Sequence, residues 1–346
     1  MMSRIPAQSV KATTASNLIQ SLQLAFVAQL ERVSRSLGDE QKFIASEWFR
    51  DQGQHGGGLR YGIADSDTFN RASINYSQVH YDDDPAKNLG SATALSTIVH
   101  PKNPHAPSMH MHISWTELKN GNGYWRIMAD LNPAIAETKA IHRFRQSLKQ
   151  AAPEQFDFAS AQGDRYFYIP TLNCHRGVQH FYLEQYNSGN EQDDLELASS
   201  VGEAVIHCYC ELLLLAIDAH PNPDATDYDK QLAYHTLYLF QVLTMDRGTT
   251  SGILVHDQND VGILGSLPAQ IDRKLLASWQ AIMPDPQDLL VAAIVDTLPE
   301  KSPCPISEPI KKSLALCVRK HYRQYPEALD LQATSDIPPP TVANHR

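Results

Sequence analysis

Four histidines lie close together in residues 96–115 of the chain: His100, His105, His110 and His112. Because side chains alternate between the two faces of a strand, His110 and His112 point to the same face of the strand predicted for residues 108–118. Imidazole can bind a metal ion, donate hydrogen bonds or carry protons near neutral pH. Two chemistries therefore stay open: a metal site in which His100 is a third ligand, and a polar cleft in which the histidines act as donors and proton carriers.

The histidines depend on a series of strands that the sequence predicts around them. Short alternating or β-branched segments separated by turns are typical of strands. Such segments cover residues 55–64, 71–81, 93–100, 108–118, 123–131 and 178–186. Because consecutive strands joined by short turns pair antiparallel, the pattern predicts one antiparallel sheet.

Helical periodicity is found before and after these strands. Helices are predicted over residues 16–37, 41–52, 134–150, 193–219, 272–283, 286–298 and 308–325. Asn132 is a suitable N-cap, followed by Pro133, for the third of these helices. Residues 238–257 are predicted as a hairpin of two strands. Since helices that precede and follow a sheet can cover its faces, the predicted fold class is α+β.

The composition limits the classes of function. The formal net charge is −10 and no cluster of Lys and Arg occurs, which argues against nucleic-acid binding because phosphate contacts need grouped cations. None of the five cysteines forms a C-x-x-C pair, which favours reduced thiols in a cytoplasmic protein. The longest apolar run, residues 212–217, is too short to span a bilayer. We therefore expect a cytoplasmic protein without integral membrane contact.

Residues 96–112 read STIVHPKNPHAPSMHMH. This string resembles the S-x-V-x-H-P-x-N-P-x-x-P-x-x-H signature of the oxygen-dependent coproporphyrinogen III oxidases, and GGGLR, ASINYSQVH, ADLNP, AIHRFR and MDRGTTSG support the resemblance. The resemblance implies one large, flat antiparallel sheet sandwiched between helices, assembled as a homodimer. It also implies oxidative decarboxylation of two propionates of coproporphyrinogen III to vinyl groups, giving protoporphyrinogen IX. The oxidant would be O2 as co-substrate, with no organic cofactor or metal required.

The resemblance assigns roles to residues at matching positions. His110 matches the histidine that donates a proton, and Asp130 matches the carboxylate that accepts the pyrrole N–H groups of the substrate. Ser96 and His100 match residues of the substrate cleft. Arg247 matches the arginine of a D-R-G turn and is expected to bind a propionate or to clamp that turn. If a metal were bound, His100 and His110 would be its ligands.

The chain also departs from the family pattern. His112 and Ser114 stand where the family has an asparagine and an arginine, and both are expected to contact the substrate. A second arginine of the family, in a later G-G-R loop, is also missing, because this chain reads HDQND there. Candidate replacements for the two lost arginines are Arg60, Lys102, Arg126 and Arg176. His142 and His175 are auxiliary candidates because they match or adjoin histidines of the family. The alternative function is that of a divergent member that binds another tetrapyrrole or anionic ligand.

The domain organisation is predicted to be simple. The sequence has no internal repeat and no linker rich in Gly, Ser or Pro before residue 300. The predicted divisions are a flexible N-terminus over residues 1–15, one domain over 16–300, a helical extension over 301–333 and a disordered Pro-rich tail over 334–346.

Overall fold

The histidines lie on a seven-stranded antiparallel sheet. The computed structural model describes residues 3–345. Its strands are β1 (Ile44–Phe49), β2 (Gly56–Ala64), β3 (Phe69–His80), β4 (Leu89–Pro101), β5 (Ser108–Leu118), β6 (Gly123–Asn132), β7 (Tyr168–Ile169), β8 (Cys174–His175), β9 (Gln179–Tyr186), β10 (Gln270–Ile271) and β11 (Cys304–Pro305). The main sheet has the order β1-β2-β3-β4-β5-β6-β9, and β7–β8 and β10–β11 form two short ladders.

Helices lie against both faces of the main sheet. They are α1 (Val10–Ser36), α2 (Thr138–Ala151), α3 (Phe156–Phe167), α4 (Glu191–Ala219), α5 (Ala225–Thr244), α6 (Arg247–Val255), α7 (Asp260–Ile263), α8 (Arg273–Ser278), α9 (Gln287–Thr297), α10 (Glu308–Gln324) and α11 (Thr341–Asn344). The predicted α+β class, with one large antiparallel sheet between helices, is confirmed.

One face of the sheet is apolar and packs against α1 and α4. On β5, Met109, Met111 and Ile113 are fully buried in the core that these helices share with the sheet. Since alternate residues of a strand face opposite sides, His110 and His112 project from the other face. Burying one such apolar side chain contributes about 1.5 to 3 kcal/mol, so the core fixes which face carries the histidines.

The helix α4 has the length and apolar composition of a membrane-spanning helix. Half of its most apolar window is buried inside the fold. Val201, Val205 and Tyr209 belong to the core between α4, α1 and the sheet. This packing accounts for the apolar composition of α4 without a membrane.

The opposite face of the sheet is covered in part by α5 and the helices that follow it. A second core joins Tyr238 and Leu243 of α5 with Ile294 of α9, Val318 of α10 and Ile98 of β4. The helix α10 packs against α6, α7 and α9, and β11 pairs with β10. The helical extension therefore packs on elements of the predicted domain, while the division at residue 300 stays a prediction.

Two predicted elements are wrong. Residues 41–52 were expected to be helical, but they contain the edge strand β1, whose backbone groups are satisfied by pairing with β2. Residues 238–257 were expected to form a hairpin, but they contain the end of α5 and all of α6. A continuous apolar run does not distinguish a buried helix from a buried strand, and residues 238–245 of this run are all buried.

Two helix starts also differ from the prediction. The helix α1 begins at Val10 with Ser9 as its N-cap, so residues 10–15 are helical rather than flexible. The helix α2 is capped by Glu137, whereas Asn132 ends β6. For α2, the Glu137 side chain, which is nearer to the helix, takes the capping role that was predicted for Asn132.

The predicted disorder of the Pro-rich tail is wrong for residues 335–345. Ser335 is buried, and Asp336 accepts a hydrogen bond from Gln162 at 2.5 Å and forms an ion pair with Arg165. The helix α11 follows. Residues 1, 2 and 346, which belong to the two predicted flexible ends, lie outside the described residues.

Candidate active site

The strand register brings most of the predicted site residues together on the polar face of the sheet. Cα atoms that pair across adjacent strands form the row Asn75, Ser96, His112, Met128 and Tyr182. His110 pairs with Asp130, and Ser114 pairs with Arg126, in the rows on either side. The sheet therefore places His110, His112 and Ser114 of β5 next to Ser96 of β4 and next to Asp130 and Arg126 of β6.

A cavity of about 220 Å³ lies over these rows. Its floor, formed by the sheet, includes the polar residues Asn75, Ser96, His110, His112, Ser114 and Arg126 beside apolar ones such as Val79, Ala94 and Met128. Its roof includes Gly248, Thr249, Asn259, Thr341, Asn344 and His345. Four of the residues predicted to bind substrate or transfer protons, Ser96, His110, His112 and Ser114, thus line a single cavity.

His110 is held from below by Asp130. The distance from His110 Nδ1 to Asp130 Oδ1 is 2.7 Å, and Asp130 has no exposed surface. His110 Nε2 makes no hydrogen bond to another residue within the described range 3–345. Because His110 lines the cavity, its Nε2 is the atom that can exchange a proton with a bound molecule.

Asp130 is also the partner of a buried arginine. Arg176 Nη2 donates to Asp130 Oδ2 at 2.9 Å, and its Nη1 donates to Gln241 at 2.7 Å. Burial alone would raise the pKa of Asp130, but the charge of Arg176 and the hydrogen bond from His110 lower that pKa well below its usual range. The carboxylate is therefore ionised and fixes the orientation of the His110 ring.

These contacts change the role expected of Asp130. Its two oxygens accept from His110, Arg176 and Asn132, and it lies beneath the floor rather than in the cavity lining. Asn75 instead presents a suitable acceptor, because its Oδ1 is buried, has no hydrogen-bond partner within residues 3–345 and belongs to a residue of the floor. Asn75 lies in the ASINYSQVH segment, but nothing in that segment distinguished it from its neighbours.

His112 and Ser114 form a second polar pair on the floor. His112 Nε2 lies 3.0 Å from Ser114 Oγ. Burial, and then the charge of Arg126, lowers the pKa of His112 well below its ordinary value. At neutral pH the His112 ring is therefore neutral, so it can take part in hydrogen bonds but cannot balance the charge of a carboxylate.

Among the four candidate cations, Arg126 is the one that lines this cavity. Lys102 pairs with Asp65 at the surface, and Arg176 lies beneath His110. The position of Arg126 could have been predicted from the sequence. The turn between β5 and β6 is short, and counting residues along each strand away from that turn places Arg126 opposite Ser114.

His100 does not line the cavity, so its predicted place in the cleft is wrong. His100 Nδ1 lies 2.9 Å from Ser108 Oγ, and Nε2 lies 3.0 Å from the backbone oxygen of Ser266. The ring packs against Tyr238 of α5, which covers this end of β4. Burial, and then the nearby His235, lowers the pKa of His100 well below its ordinary value, so it is a neutral, structural residue.

The side chains do not assemble the alternative metal site. Both ring nitrogens of His100 have protein partners, and His110 Nδ1 faces Asp130. In the part of the chain from residue 3 to residue 345, no group of three or more His, Cys, Asp or Glu side chains is placed to hold a metal ion. The expectation that no metal is required stays a prediction.

Four other predicted residues lie outside the lining of the cavity. Arg247 Nη1 donates to the backbone oxygen of Leu329 at 3.2 Å, which matches the clamp role rather than contact with a propionate. Arg60 lies on β2, near the edge of the sheet. His142 is exposed on α2, which packs against α4 on the apolar side of the sheet, and His175 is exposed on β8.

The C-terminal part of the roof is joined to neighbouring parts of the protein by several hydrogen bonds. Arg126 Nη2 donates to Thr341 Oγ1 at 3.4 Å, and Asn344 Nδ2 donates to the hydroxyl of Tyr124 at 2.8 Å. Lys87 Nζ donates to the backbone oxygen of His345 at 2.9 Å. No pattern in the sequence indicated this roof, because a Pro-rich polar tail is typical of disorder.

The fold and the floor define an α+β protein in which a histidine, oriented by a buried carboxylate, opens into a cavity on one face of the sheet. A family model described as Coproporphyrinogen III oxidase matches residues 14–282. The chain belongs to this family.

Curated relatives agree with the family match. The oxygen-dependent coproporphyrinogen-III oxidase of Drosophila melanogaster is 29% identical over 289 residues, which are 76% of this chain and 70% of the relative. The mitochondrial enzyme of Rattus norvegicus is 26% identical over 298 residues, which are 78% of this chain and 65% of the relative. The enzyme of Rickettsia bellii is 29% identical over 248 residues, 66% of this chain and 85% of the relative.

Proposed function

We propose that this chain is an oxygen-dependent coproporphyrinogen III oxidase of haem biosynthesis. It converts two propionate side chains of coproporphyrinogen III to vinyl groups and yields protoporphyrinogen IX. Each conversion releases carbon dioxide, one proton and two electrons, and O2 accepts the electrons. The observation that carries the proposal is the His110 ring on the floor of the cavity, oriented by a fully buried carboxylate, in a chain of this family.

His110 is the proposed proton-transfer residue. Its Nδ1 is engaged by Asp130, and its Nε2 is free to exchange a proton with the substrate or with the reduced oxygen species. Asp130 and Arg176 are positioning residues, because they act on the reaction through the His110 ring. Together they keep one tautomer and one orientation of that ring.

Asn75 is the proposed acceptor for a pyrrole N–H group. A porphyrinogen carries four pyrrole N–H donors, and a buried acceptor without a partner is costly unless a ligand supplies a donor. Asn75 Oδ1 fits this description, and Asn75 belongs to the same cross-strand row as Ser96 and His112. Ser96 and Ser114 supply further hydroxyl groups on the same floor.

We further propose that the reaction needs no organic cofactor and no metal, that the protein is a homodimer and that it acts in the cytoplasm. These proposals rest on the family resemblance and on the absence of C-x-x-C pairs in the sequence. Light scattering coupled to size exclusion measures the mass in solution, and a monomeric mass would reject the dimer. Metal analysis of active protein prepared without a His-tag would reject metal independence if stoichiometric metal accompanied activity.

The direct test supplies purified protein with coproporphyrinogen III under air and under nitrogen, and then measures vinyl products by chromatography after oxidation to porphyrins. We expect protoporphyrin to form in air but not under nitrogen. The proposal fails if no vinyl product forms while the Drosophila relative, assayed in parallel, forms it. In that case, titration with coproporphyrin shows whether the chain is instead a tetrapyrrole-binding protein without this catalysis.

A further inference from the structure

Among the described residues 3–345, Arg126 is the one Arg or Lys whose side chain lines the cavity. It lies on β6, directly across from Ser114 of β5, and its side chain is 13% exposed. The lining also contains one carboxylate, Asp246, whose Oδ1 accepts from the backbone N–H of Thr249 and so caps α6. An anionic group of a ligand is therefore favoured at the Arg126 side of the floor and disfavoured beside Asp246.

The guanidinium of Arg126 is held in one orientation. Its Nε donates to Glu184 Oε2 at 2.5 Å, and its Nη2 donates to Glu184 Oε1 at 3.0 Å. Glu184 is buried and also accepts a hydrogen bond from the hydroxyl of Tyr182. A bidentate pair of this kind fixes the plane of the guanidinium, so little freedom is left to lose when a ligand binds.

One side of this fixed guanidinium stays available. Arg126 Nη1 makes no hydrogen bond within the described part of the chain, and Nη2 makes only a long one, of 3.4 Å, to Thr341 Oγ1 in addition to Glu184. Glu184 is not part of the cavity lining, so Arg126 lies between Glu184 and the cavity. Burial would lower the pKa of Arg126, but the charge of Glu184 raises it, so the guanidinium keeps its proton.

We propose that Arg126 binds a propionate carboxylate of the substrate through Nη1, with the hydroxyl of Thr341 beside it. This inference rests on the proposed function, since it assumes a tetrapyrrole with propionate groups. A carboxylate that loses part of its hydration in the cavity needs a charged donor to offset that loss, and the neutral His112 ring cannot supply that charge. Arg126 thus determines which way round a substrate with several carboxylates lies over His110.

The test measures binding of coproporphyrin III and of its tetraamide, which has the same size but no charge, by fluorescence titration. Arg126→Gln should weaken coproporphyrin binding by about tenfold to a hundredfold, as expected for one charge-assisted hydrogen-bonded pair, and leave tetraamide binding unchanged. In turnover, KM should rise while kcat is largely kept. Arg143→Gln is the matched control, because Arg143 pairs with Glu211 on the exposed side of α2.

Two further variants keep the test decisive. Arg126→Gln leaves Glu184 buried without its partner, so the double variant Arg126→Gln with Glu184→Gln removes both charges and protects folding. The exchange Ser114→Arg with Arg126→Ser moves the guanidinium to the paired position across the strands, and it should recover part of the lost affinity. Circular dichroism and thermal unfolding confirm that each variant is folded.

The inference is overturned if folded Arg126 variants bind coproporphyrin as tightly as the wild type. It is also overturned if they lose affinity for the tetraamide to the same extent, because the effect would then be on cavity shape. Wild-type protein that binds neither compound would instead reject the proposed function, and the carboxylate site with it.

Discussion

The floor and the roof of the cavity are built in different ways. In the floor, His110 is joined by a short hydrogen bond to Asp130 beneath it, and Asp130 is joined by another to Arg176; Asp130 and Arg176 are fully buried. The C-terminal part of the roof, by contrast, is joined to the floor and walls by hydrogen bonds from Arg126, Asn344 and Lys87.

The two regions also differ in their relation to the family. The floor lies within the matched residues 14–282, whereas Thr341, Asn344 and His345 of the roof lie beyond them. The proton-transfer group and its support are therefore encoded in the shared part of the chain, and part of the cover is encoded in the C-terminal segment. The difference predicts that changes beneath the floor affect stability and catalysis, while changes in the roof affect mainly access.

The largest effect is expected from Asp130→Asn. This change leaves the buried charge of Arg176 without its partner, which should lower the free energy of unfolding by about 3 to 5 kcal/mol in urea denaturation. It should also remove most activity and alter the pH dependence of the remaining kcat, because the His110 ring loses the partner that orients it.

Asp164→Asn is the control for this change. Asp164 is exposed and pairs with His180, so loss of its charge should lower the free energy of unfolding by under about 1 kcal/mol. Equal effects of the two changes would contradict the account.

The next effect is expected from His110→Asn. Loss of the proton-transfer group should lower kcat by about a hundredfold to ten-thousandfold, with little change in coproporphyrin binding. His142→Asn, on the exposed side of α2, should leave kcat unchanged. If both variants kept full activity, His110 would have no role in the chemistry.

Removing residues 336–346 should open the roof. The expected effect is smaller than those above, and it is a gain in the rate of ligand association rather than a loss of activity. The cavity of about 220 Å³ is smaller than the roughly 300 to 1,000 Å³ of typical ligand sites, so the roof must move to admit a tetrapyrrole. Association of coproporphyrin, followed by stopped-flow fluorescence, should become several-fold faster. Asp336→Asn, which removes the ion pair with Arg165 and the charge that accepts from Gln162, should have an intermediate effect. Slower association of the truncated protein would show that this segment helps to bind the ligand instead.

The smallest effect is expected when the pH is lowered, which should favour opening of the roof. Burial, and then Arg50 and Lys87, lowers the pKa of His345 to about 4, and burial together with His345 and Arg50 lowers the pKa of His256 to about 3. Tyr81 also faces His345, at 3.4 Å. When the roof opens, both rings regain a pKa near the ordinary 6.5 and bind protons more readily, so acid favours the open form.

The pH window follows from these values. The contribution of the two rings to closure is complete above about pH 6.5 and is lost as the pH falls toward about 4. Hydrogen exchange of residues 341–345 should therefore be less protected in the lower part of this window than at neutral pH, after correction for the intrinsic rate. Protection that increased in acid would contradict the assignment of neutral rings.

The floor was largely predictable from the sequence, and the reasons are local. Strand periodicity placed His110, His112 and Ser114 on one face, and the family signature supplied Ser96 and Asp130. Local patterns could not show that Asp130 lies beneath the floor, because its depth depends on Arg176, which reaches it from a different segment.

The roof and the helices around it were not predictable in the same way. Residues 238–245 at the end of α5 are all buried and mostly apolar, and such a run carries no periodicity that separates helix from strand. His100 has the spacing of a cleft residue, but α5 covers it. The tail that contains α11 is ordered by contacts with residues far away in the chain, such as Tyr124 and Gln162.

The most direct test of the central claim, that His110 on this floor carries out oxidative decarboxylation, is the carbon dioxide released per molecule of coproporphyrinogen III in air. The account predicts two molecules of carbon dioxide for the wild type, and a release rate at least about a hundredfold lower for His110→Asn, with binding retained. No carbon dioxide from the wild type, or an unchanged rate in folded His110→Asn, would contradict it.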